Sequence, residues 1–250
     1  MSLPPRIRLI GKGRAAMSLA RALDRAGWQI MGLLGRTDDF ASAGAGTDLL
    51  VLAVPDSAIA TVAEMVEPGD AVVAHMSGSL GLDVLSPHAR RGGVHPLVAL
   101  PNAEVGASRL VGAWFGVCGD PMMARVVSDL GGQSFEVSDE QRAAYHAAAV
   151  VASNHLVALM GQVERIAEGV GVPAQAYVQL AAGALDNVAA LGPADALTGP
   201  AARGDWETLV RHLHAIDPSE RPAYLALADA ARRLVDGGSL PAEVKDLFNG

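Results

Sequence analysis

Residues 7–16 read Ile-Arg-Leu-Ile-Gly-Lys-Gly-Arg-Ala-Ala, and this stretch decides the fold of the first half of the chain. The apolar run from Ile7 to Ile10 predicts a β-strand. Apolar residues at helical spacing between Ala15 and Ala26 predict an α-helix that ends at Gly27. The loop between them has the pattern Gly-x-Gly-x-x-Ala. A strand, a glycine loop and a helix in this order are typical of the first unit of a parallel α/β sheet.

The glycine loop meets the physical demands of binding a pyrophosphate. Gly11 permits a sharp turn, Gly13 lets the backbone approach a ligand, and Ala16 keeps the helix close to the strand. The helix N-terminus adds amide groups and the positive end of the helix dipole. We therefore predict a dinucleotide site, and the alternative is a tight strand–helix turn without a ligand. The predicted cofactor-binding residues here are Gly11, Lys12, Gly13, Arg14, Ala15 and Ala16.

Short apolar runs continue to alternate with helical stretches up to residue 138, which is the pattern of parallel βα units. Further strands are predicted at 30–34, 49–54, 71–74, 93–97, 114–117 and 134–137. Only residues 35–48 separate the second strand from the third, so we expect a rudimentary helix there. The first half is predicted to be an α/β domain with a Rossmann-like parallel sheet.

From Asp139 onward the strand signals end, and Ala-rich segments separated by Gly and Pro residues follow. Helices are predicted at 139–168, 174–190, 203–214 and 219–236. The predicted fold is therefore a Rossmann-like parallel sheet followed by an all-helical C-terminal domain. We place an NAD(P)-binding domain at residues 1–138 and a helical substrate and dimerisation domain at residues 139–250.

The end of the second predicted strand indicates which dinucleotide the loop binds. NAD-preferring sites place Asp or Glu there to hold the ribose hydroxyls, whereas this chain has Arg36 and Thr37. Arg36 can pair with a 2′-phosphate and Thr37 is a further donor, which predicts NADP(H) as the cofactor. Asp38 and Asp39 leave open the alternative that a carboxylate binds a ribose hydroxyl instead.

The loop after the third strand is expected to line the same ligand crevice, because the carboxyl ends of parallel strands face one edge of the sheet. Val54, Pro55 and Asp56 occupy this loop and are predicted cofactor-binding residues. We also expect Asp56 or Ser57 to cap the helix that follows.

Candidate catalytic residues follow the next two strands. Ser77 lies after the fourth strand, in the stretch that begins at His75, and His95 lies in the fifth. A histidine can transfer the proton that accompanies hydride transfer, and a serine hydroxyl can orient a carbonyl or imine. The alternatives are a capping role for Ser77 and a buried, hydrogen-bonded imidazole for His75 or His95.

The first helix of the second domain has a polar edge within an otherwise apolar segment. His146 and Ser153 are seven residues apart and share nearly one face, and Asn154 flanks that face. Because burying unpaired polar groups is costly, these residues predict a polar cleft. His146 and Asn154 are therefore further candidates for the catalytic site.

Composition excludes several classes of protein. The net charge of −8, without a basic cluster, argues against nucleic-acid binding. The single cysteine, Cys118, cannot form an internal disulfide, and no His or carboxylate pair has metal-site spacing, so no metal is predicted. The N-terminus lacks a signal peptide, and no apolar run approaches the ~18 residues that span a bilayer. We expect a cytoplasmic protein with a small-molecule substrate and no membrane partner.

Several stretches of the chain together carry a resemblance to a known family. They are the glycine loop, Val54-Pro55-Asp56, His75-x-Ser77-Gly78, His95-Pro96, the helix from Tyr145 to Leu159, and Leu197-Thr198-Gly199-Pro200-Ala201-Ala202-Arg203-Gly204-Asp205. The chain resembles the oxidoreductases that join a Rossmann-like domain to the C-terminal domain of unknown function 2520. Their architecture is similar to that of 6-phosphogluconate dehydrogenase, pyrroline-5-carboxylate reductase and ketopantoate reductase. The resemblance implies NADP binding, a homodimer formed through the helical domain, and a site between the domains.

The chain departs from the lysine-dependent relatives. Val150 lies four residues before Asn154, where a lysine would be expected. The two lysines of the chain are Lys12 and Lys245, and neither lies on that helix. We therefore expect His, Ser, Asn or bound water, and not lysine, to handle the proton.

The leading hypothesis is NADPH-dependent reduction of a small ketone or imine at the inter-domain cleft. His95 or His146 would transfer the proton, and Ser77 and Asn154 would orient the substrate. Two alternatives remain open at this point: a non-catalytic, NADP(H)-binding sensor dimer, and a deazaflavin-linked NADP reductase.

Overall fold

A computed structural model describes residues 3–246 of the chain. The described chain forms two compact units, the first ending at Ser153 and the second beginning at Asn154. The sequence analysis places the domain boundary earlier, at residue 138. The contacts extend the first unit because the start of the helical segment joins the sheet, as in the hydrogen bond between Tyr145 and His95.

The first unit is built on a sheet of seven strands, in the order β2-β1-β3-β4-β5-β6-β7. The strands are β1 (Arg6–Ile10), β2 (Gln29–Leu34), β3 (Leu49–Leu52), β4 (Val72–His75), β5 (Arg91–Pro96), β6 (Trp114–Gly119) and β7 (Gln133–Glu136). The first five strands are parallel, whereas β6 is antiparallel to β5 and β7 is parallel to β6. The predicted Rossmann-like sheet is confirmed, with its last two strands reversed.

Four helices of the first unit connect these strands: α1 (Arg14–Arg25), α2 (Ile59–Met65), α3 (Ala103–Leu110) and α4 (Met122–Asp129). A fifth, α5 (Arg142–Val150), follows β7. Buried residues of α1, such as Leu19 and Leu23, share one core with Leu9 and Val51 of the sheet. Between β2 and β3, where every residue is described, no helix forms, and this confirms the expectation of a rudimentary segment.

Strand β3 lies in the middle of the five parallel strands of the sheet. All four of its residues are fully buried. Val51 belongs to the core on one face, and Leu50 and Leu52 belong to the core on the other, so helices cover both faces. Leu52 pairs with Ile10 on one side and with His75 on the other. The loops after β1, β3 and β4 therefore meet at one edge, and the strand order changes direction between β1 and β3.

The second unit is helical, as predicted. Its helices are α6 (Leu156–Ala167), α7 (Ala174–Leu191), α8 (Pro193–Ala196), α9 (Pro200–Arg203), α10 (Trp206–Ala215), α11 (Arg221–Asp236) and α12 (Ala242–Asp246). A small core forms from Ala201, Leu209, Ala228 and Leu240. In contrast, α7 buries none of its residues.

The helical segment Asp139–Ala167 is 29 residues long, and an 18-residue window within it has a mean hydropathy of 1.3. By length and composition alone it is able to cross a membrane, whereas the sequence analysis expected no stretch of this kind. The polar residues of the π-helical turn Val151–His155 interrupt the apolar run but do not lower the average enough. One such helix is weak evidence for a membrane span, because helices of soluble proteins have similar length and composition.

Candidate functional site

The glycine loop has the geometry that a phosphate-binding turn requires. Gly11 has a φ of 125° and packs so closely on Ala53 that a Cβ would collide with the Ala53 carbonyl group. Gly13 is the N-cap of α1, no side chain caps this helix, and no heavy atom lies within 4 Å of an ideal Gly13 Cβ. The first-turn amides of α1 therefore face open space at the switch point of the sheet, where an anion is favoured.

The segment after β2 arranges its charges as a local network. Asp38 Oδ2 accepts a hydrogen bond from the Gly35 backbone at 2.6 Å and pairs with Lys12 Nζ at 3.3 Å. The Gly35 hydrogen bond and then Lys12 lower the pKa of Asp38. Asp39 accepts from the backbone of a neighbouring turn. Both carboxylates that could have held a ribose hydroxyl thus have local partners, whereas Arg36 is exposed and takes part in none of the ion pairs found within residues 3–246.

Asp56 has a different partner from the one expected. Pro55 is the N-cap of the turn Asp56–Ala58, and within residues 3–246 no side chain caps this turn or α2. The prediction that Asp56 or Ser57 caps the following helix is therefore wrong. Asp56 Oδ2 instead accepts hydrogen bonds from Ser77 Oγ at 2.6 Å and Ser79 Oγ at 2.8 Å. The loop after β3 is tied in this way to the loop after β4.

Ser77 and His75 both hold the loop after β4 in place. The Ser77 hydroxyl donates to Asp56 and accepts from the backbone amides of Ser79 and Leu80, so its one proton is committed to the carboxylate. His75 Nδ1 accepts from the Ser77 backbone, and its Nε2 therefore donates to the Gly81 carbonyl at 3.2 Å. Burial lowers the pKa of His75. These contacts match the alternatives stated for the two residues. Ser77 caps a turn through its hydroxyl, and His75 is a buried, hydrogen-bonded imidazole.

His95 lies at the end of β5 beside two residues of α5. Its Nδ1 is 2.6 Å from the Tyr145 hydroxyl, and its ring meets the ring of His146 edge-on at a centroid distance of 5.8 Å. Burial is the main cause that lowers the pKa of His95 to about 4, and the neighbouring His146 acts in the same direction. His95 is therefore a neutral imidazole at physiological pH.

Gly78 separates the two histidines. An ideal Cβ on this residue would lie 2.6 Å from His146 Nδ1 and 2.9 Å from His95 Nε2, so only glycine fits without displacing a ring. His146 Nδ1 is buried and has no hydrogen-bond partner in the described part of the chain. A buried polar nitrogen without a partner is costly, and such groups are concentrated at functional sites.

Arg142 fixes the start of α5 against the sheet. Its side chain is only 3% exposed, and its guanidinium donates to the Asp139 carboxylate at 3.0 Å and contacts the Cys118 sulfur. Partial burial raises the pKa of the Cys118 thiol. The sequence analysis did not select Arg142 or assign Tyr145 a catalytic role. Both residues lie close to His146 in the sequence. Arg142 is four residues before it, on the same face of the helix, and Tyr145 is the residue directly before it, so this spacing was the signal that could have identified them.

Two of the predicted catalytic residues, His95 and His146, therefore come together in the first unit, and Ser77 anchors the adjacent loop. Asn154 lies in the second unit, within the π-helical turn. Its predicted role in orienting a substrate stays a prediction. A cavity of about 940 Å³ opens at the opposite edge of the sheet, next to Arg6 and Asp48, which pair with each other. The candidate chemistry is located away from that cavity.

The comparisons with known families agree with this architecture. Residues 36–101 match the model of a Rossmann-like domain, and residues 118–231 match DUF2520, a domain of unknown function. The glycine loop precedes the first of these matches, so the case for it rests on its own geometry. No curated protein matches the chain.

Solved structures show the same fold. A Bacteroides fragilis protein described as an NADP oxidoreductase has a TM-score of 0.80 at 22% identity, over 92% of this chain and 98% of that one. Protein TM1727 from Thermotoga maritima has a TM-score of 0.71 at 25% identity, over the same 92% and 98%. A reductive aminase from Aspergillus terreus, in complex with NADPH and ethyl-5-oxohexanoate, has a TM-score of 0.69 at 15% identity, over 98% and 100%. Along this chain a match to a Rossmann-like domain is followed by a match to DUF2520, the combination that its sequence resembles.

Proposed function

We propose that the protein is an NADPH-dependent oxidoreductase that reduces a small ketone or imine. The observation that carries the proposal is the neutral His95, which lies at the end of β5, paired with Tyr145 and beside His146. A buried, neutral imidazole at the carboxyl edge of a Rossmann-like sheet is suited to hydrogen-bond the reacting group of a substrate.

The choice of NADPH rests on the glycine loop and on Arg36. The open amides of α1 suit a pyrophosphate, and the exposed Arg36 and Thr37 suit a 2′-phosphate. The names of two structural neighbours, an NADP oxidoreductase and a reductase-type enzyme in complex with NADPH, support the same cofactor. Bound NADPH would supply the hydride.

Residues of this chain bind and orient the substrate in this proposal. His95 hydrogen-bonds the reacting group, and the buried, unpartnered Nδ1 of His146 lies beside Gly78, next to the His95 ring. Ser77 and Asp56 hold the intervening loop, so Ser77 acts by positioning Gly78 between the two rings.

NADPH oxidation tests this function directly. The purified protein is mixed with NADPH and a panel of 2-keto acids, other small ketones and cyclic imines. We expect turnover on at least one class, and a fall of about 10²-fold or more in kcat for His95→Ala, the usual worth of an acid–base group. Tight NADPH binding without turnover on any substrate would instead indicate a sensor, and turnover only with added deazaflavin would indicate the flavin-linked alternative.

Arg36→Asp tests the choice of cofactor. Losing a charge-assisted hydrogen bond to the 2′-phosphate costs about 1.5–3 kcal/mol, so we expect NADPH affinity to fall by tenfold or more while NADH affinity changes little. Fluorescence titration of both cofactors measures the ratio, and Arg109→Asp, a change at an exposed arginine on α3, is the charge-matched control. An unchanged NADPH-to-NADH preference would refute the role of Arg36.

We further propose that the protein forms a homodimer through α7. This helix is apolar on nearly all sides and buries none of its residues in the described chain. Leu180, Leu185 and Leu191 are 70%, 51% and 57% exposed. A helix of this composition is normally buried, so a partner surface of the same apolar kind is needed to cover it.

A further inference from the structure

The hydrogen bond between His95 and Tyr145 decides what His95 is able to do. The rings meet edge-on at 89°, and Nδ1 lies 2.6 Å from the hydroxyl oxygen, which is a hydrogen-bond distance. Either the tyrosine donates to an unprotonated Nδ1, or a protonated Nδ1 donates to the tyrosine. In a neutral imidazole the first case leaves the ring proton on Nε2, and the second leaves Nε2 as an acceptor.

The surroundings of Tyr145 favour one direction. The hydroxyl lies against Gly116 of β6, where an ideal Cβ would be 2.7 Å from the oxygen. Burial raises the pKa of Tyr145, and the nearby charge of Arg142 acts in the opposite direction. Within residues 3–246 the hydroxyl makes no hydrogen bond other than the one with His95 Nδ1, so its proton has this one acceptor. Phe135 packs edge-on against the tyrosine ring at 5.7 Å and holds it in this position.

We propose that Tyr145 donates to His95 Nδ1, and that it thereby fixes His95 as a hydrogen-bond donor through Nε2. Tyr145 is a positioning residue in this arrangement, since it acts on the substrate only through His95. The inference deepens the proposed function, because the donor becomes useful only when a substrate is reduced next to it.

The groups around His95 keep it in the neutral form that the proposal needs. His146 and Tyr145 face it from α5, Arg142 adds a positive charge from the same helix, His75 lies on β4, and Asp56 follows β3. Burial is the largest influence, and of these groups only Asp56 favours the charged ring. The Nε2 edge lies against Gly78, where a Cβ would come within 2.9 Å of Nε2, so the absence of a side chain lets the ring lie this close to the loop.

A fixed donor at Nε2 selects the chemistry of the substrate. A carbonyl oxygen or an unprotonated imine nitrogen has a lone pair that accepts from Nε2–H. A protonated imine has no lone pair on nitrogen, and its own N–H would oppose the Nε2–H. The site is therefore suited to carbonyl compounds and neutral imines and discriminates against iminium ions.

The tautomer is measurable without any substrate. Long-range ¹H–¹⁵N correlation spectra of the full-length protein, labelled with ¹⁵N-histidine, report which nitrogen of each of the seven rings carries the proton. The His95 signals are identified by their loss in His95→Gln. We expect a protonated Nε2 and an unprotonated Nδ1 at pH 7. A proton on Nδ1 of His95 in the wild-type protein would overturn the inference outright.

Two tyrosine variants test whether Tyr145 sets the tautomer of His95. Tyr145→Phe removes the hydroxyl and keeps the ring, so the His95 signals should move toward a mixture of tautomers. The chain offers a matched control in Tyr224, whose hydroxyl is 2.7 Å from His212 Nδ1 with the rings at 89°. Tyr224→Phe should change the His212 signals and leave those of His95 as they are. Unchanged His95 signals in Tyr145→Phe would show that Tyr145 does not set the tautomer.

Kinetics then test the link to the substrate. For a carbonyl substrate, Tyr145→Phe should lower kcat about fivefold to tenfold, the worth of one hydrogen bond, with a smaller change in KM. A preference for imines only under acidic conditions, where they are protonated, would contradict the predicted substrate class. If no substrate is turned over at all, the proposed function is wrong. The NMR measurement still tests the His95 tautomer in that case, because it needs no substrate.

Discussion

Gly78 is the residue at which the geometry of the site is least tolerant of change. It lies between His95 and His146, and a Cβ there would approach both rings to under 3.0 Å. We expect Gly78→Ala to displace one of the rings and to lower kcat by about tenfold or more, because misplacing a reacting group by about 1 Å is that costly. NADPH affinity, measured by fluorescence titration, should stay within about twofold of the wild type.

The matched control is Gly69→Ala, since no heavy atom lies within 4 Å of an ideal Cβ at that position. Steady-state kinetics measure kcat for both variants, and Gly69→Ala should keep the wild-type value. Wild-type kcat in Gly78→Ala would mean that the two rings do not act together.

His95 also links the stability of the protein to pH. Burial lowers its pKa from 6.5 to about 4, so between these values the unfolded chain binds a proton that the folded chain does not. Stability is therefore highest above pH 6.5 and falls as the pH falls toward 4. From pH 7 to pH 5 this single group accounts for a loss of about 2 kcal/mol.

Urea unfolding at pH 7 and pH 5 measures this loss. The neutral variant His95→Gln should lose less stability over the same interval by about that amount. An equal loss in the variant and the wild type would assign the pH dependence to other groups.

The histidines show what sequence can predict at the scale of one residue. The sequence identifies His75 and His95 as equal candidates, because each lies at the end of an apolar strand. Their roles differ through partners distant in the chain: His75 is held by Ser77 and Gly81, whereas His95 meets Tyr145 from 50 residues away. The same reason explains Asp56, which was expected to cap a helix and instead binds the hydroxyls of another loop.

At the scale of elements, helix α3 depends on its first residue. Asn102 is the N-cap, and its side chain accepts from the Val105 backbone at 2.9 Å. We expect Asn102→Ala to destabilise the protein by about 1 kcal/mol, the usual worth of such a cap. Denaturant unfolding measures the change. Glu64→Ala, an exposed change inside α2, is the control and should have a far smaller effect.

The elements themselves were predictable because their apolar patterns are local. Strands β1 to β5 and the long helices begin and end within a few residues of the predicted positions. Two features were not predictable in this way. The reversal of β6 depends on which side of β5 the chain returns to, and the turn Val151–His155 widens into a π-helix inside an otherwise regular pattern. Neither leaves a periodic signal in the sequence.

At the scale of the whole molecule, composition predicted two units of different class, and the described chain has them. The division at Ser153 lies after the predicted one at 138, because Arg142, Tyr145 and His146 are helical residues that contact the sheet unit. A change of secondary-structure pattern marks where helices begin. It does not mark which unit a helix packs against. For this reason α5, which belongs to the helical part of the sequence, packs against the sheet and brings Tyr145 and His146 to His95.

The apolar surface of α7 leads to a prediction about assembly. If a second copy covers this helix, light scattering should give twice the chain mass of 25.6 kDa. Leu180→Glu places a charge in the centre of the proposed interface, where burial without a partner is costly, and should convert the protein to monomers. Val111→Glu is the control, because Val111 is 60% exposed and lies in the first unit, so this variant should keep the wild-type mass. A monomeric wild-type protein, or a Leu180→Glu variant that keeps the doubled mass, would show that α7 is not the dimer surface.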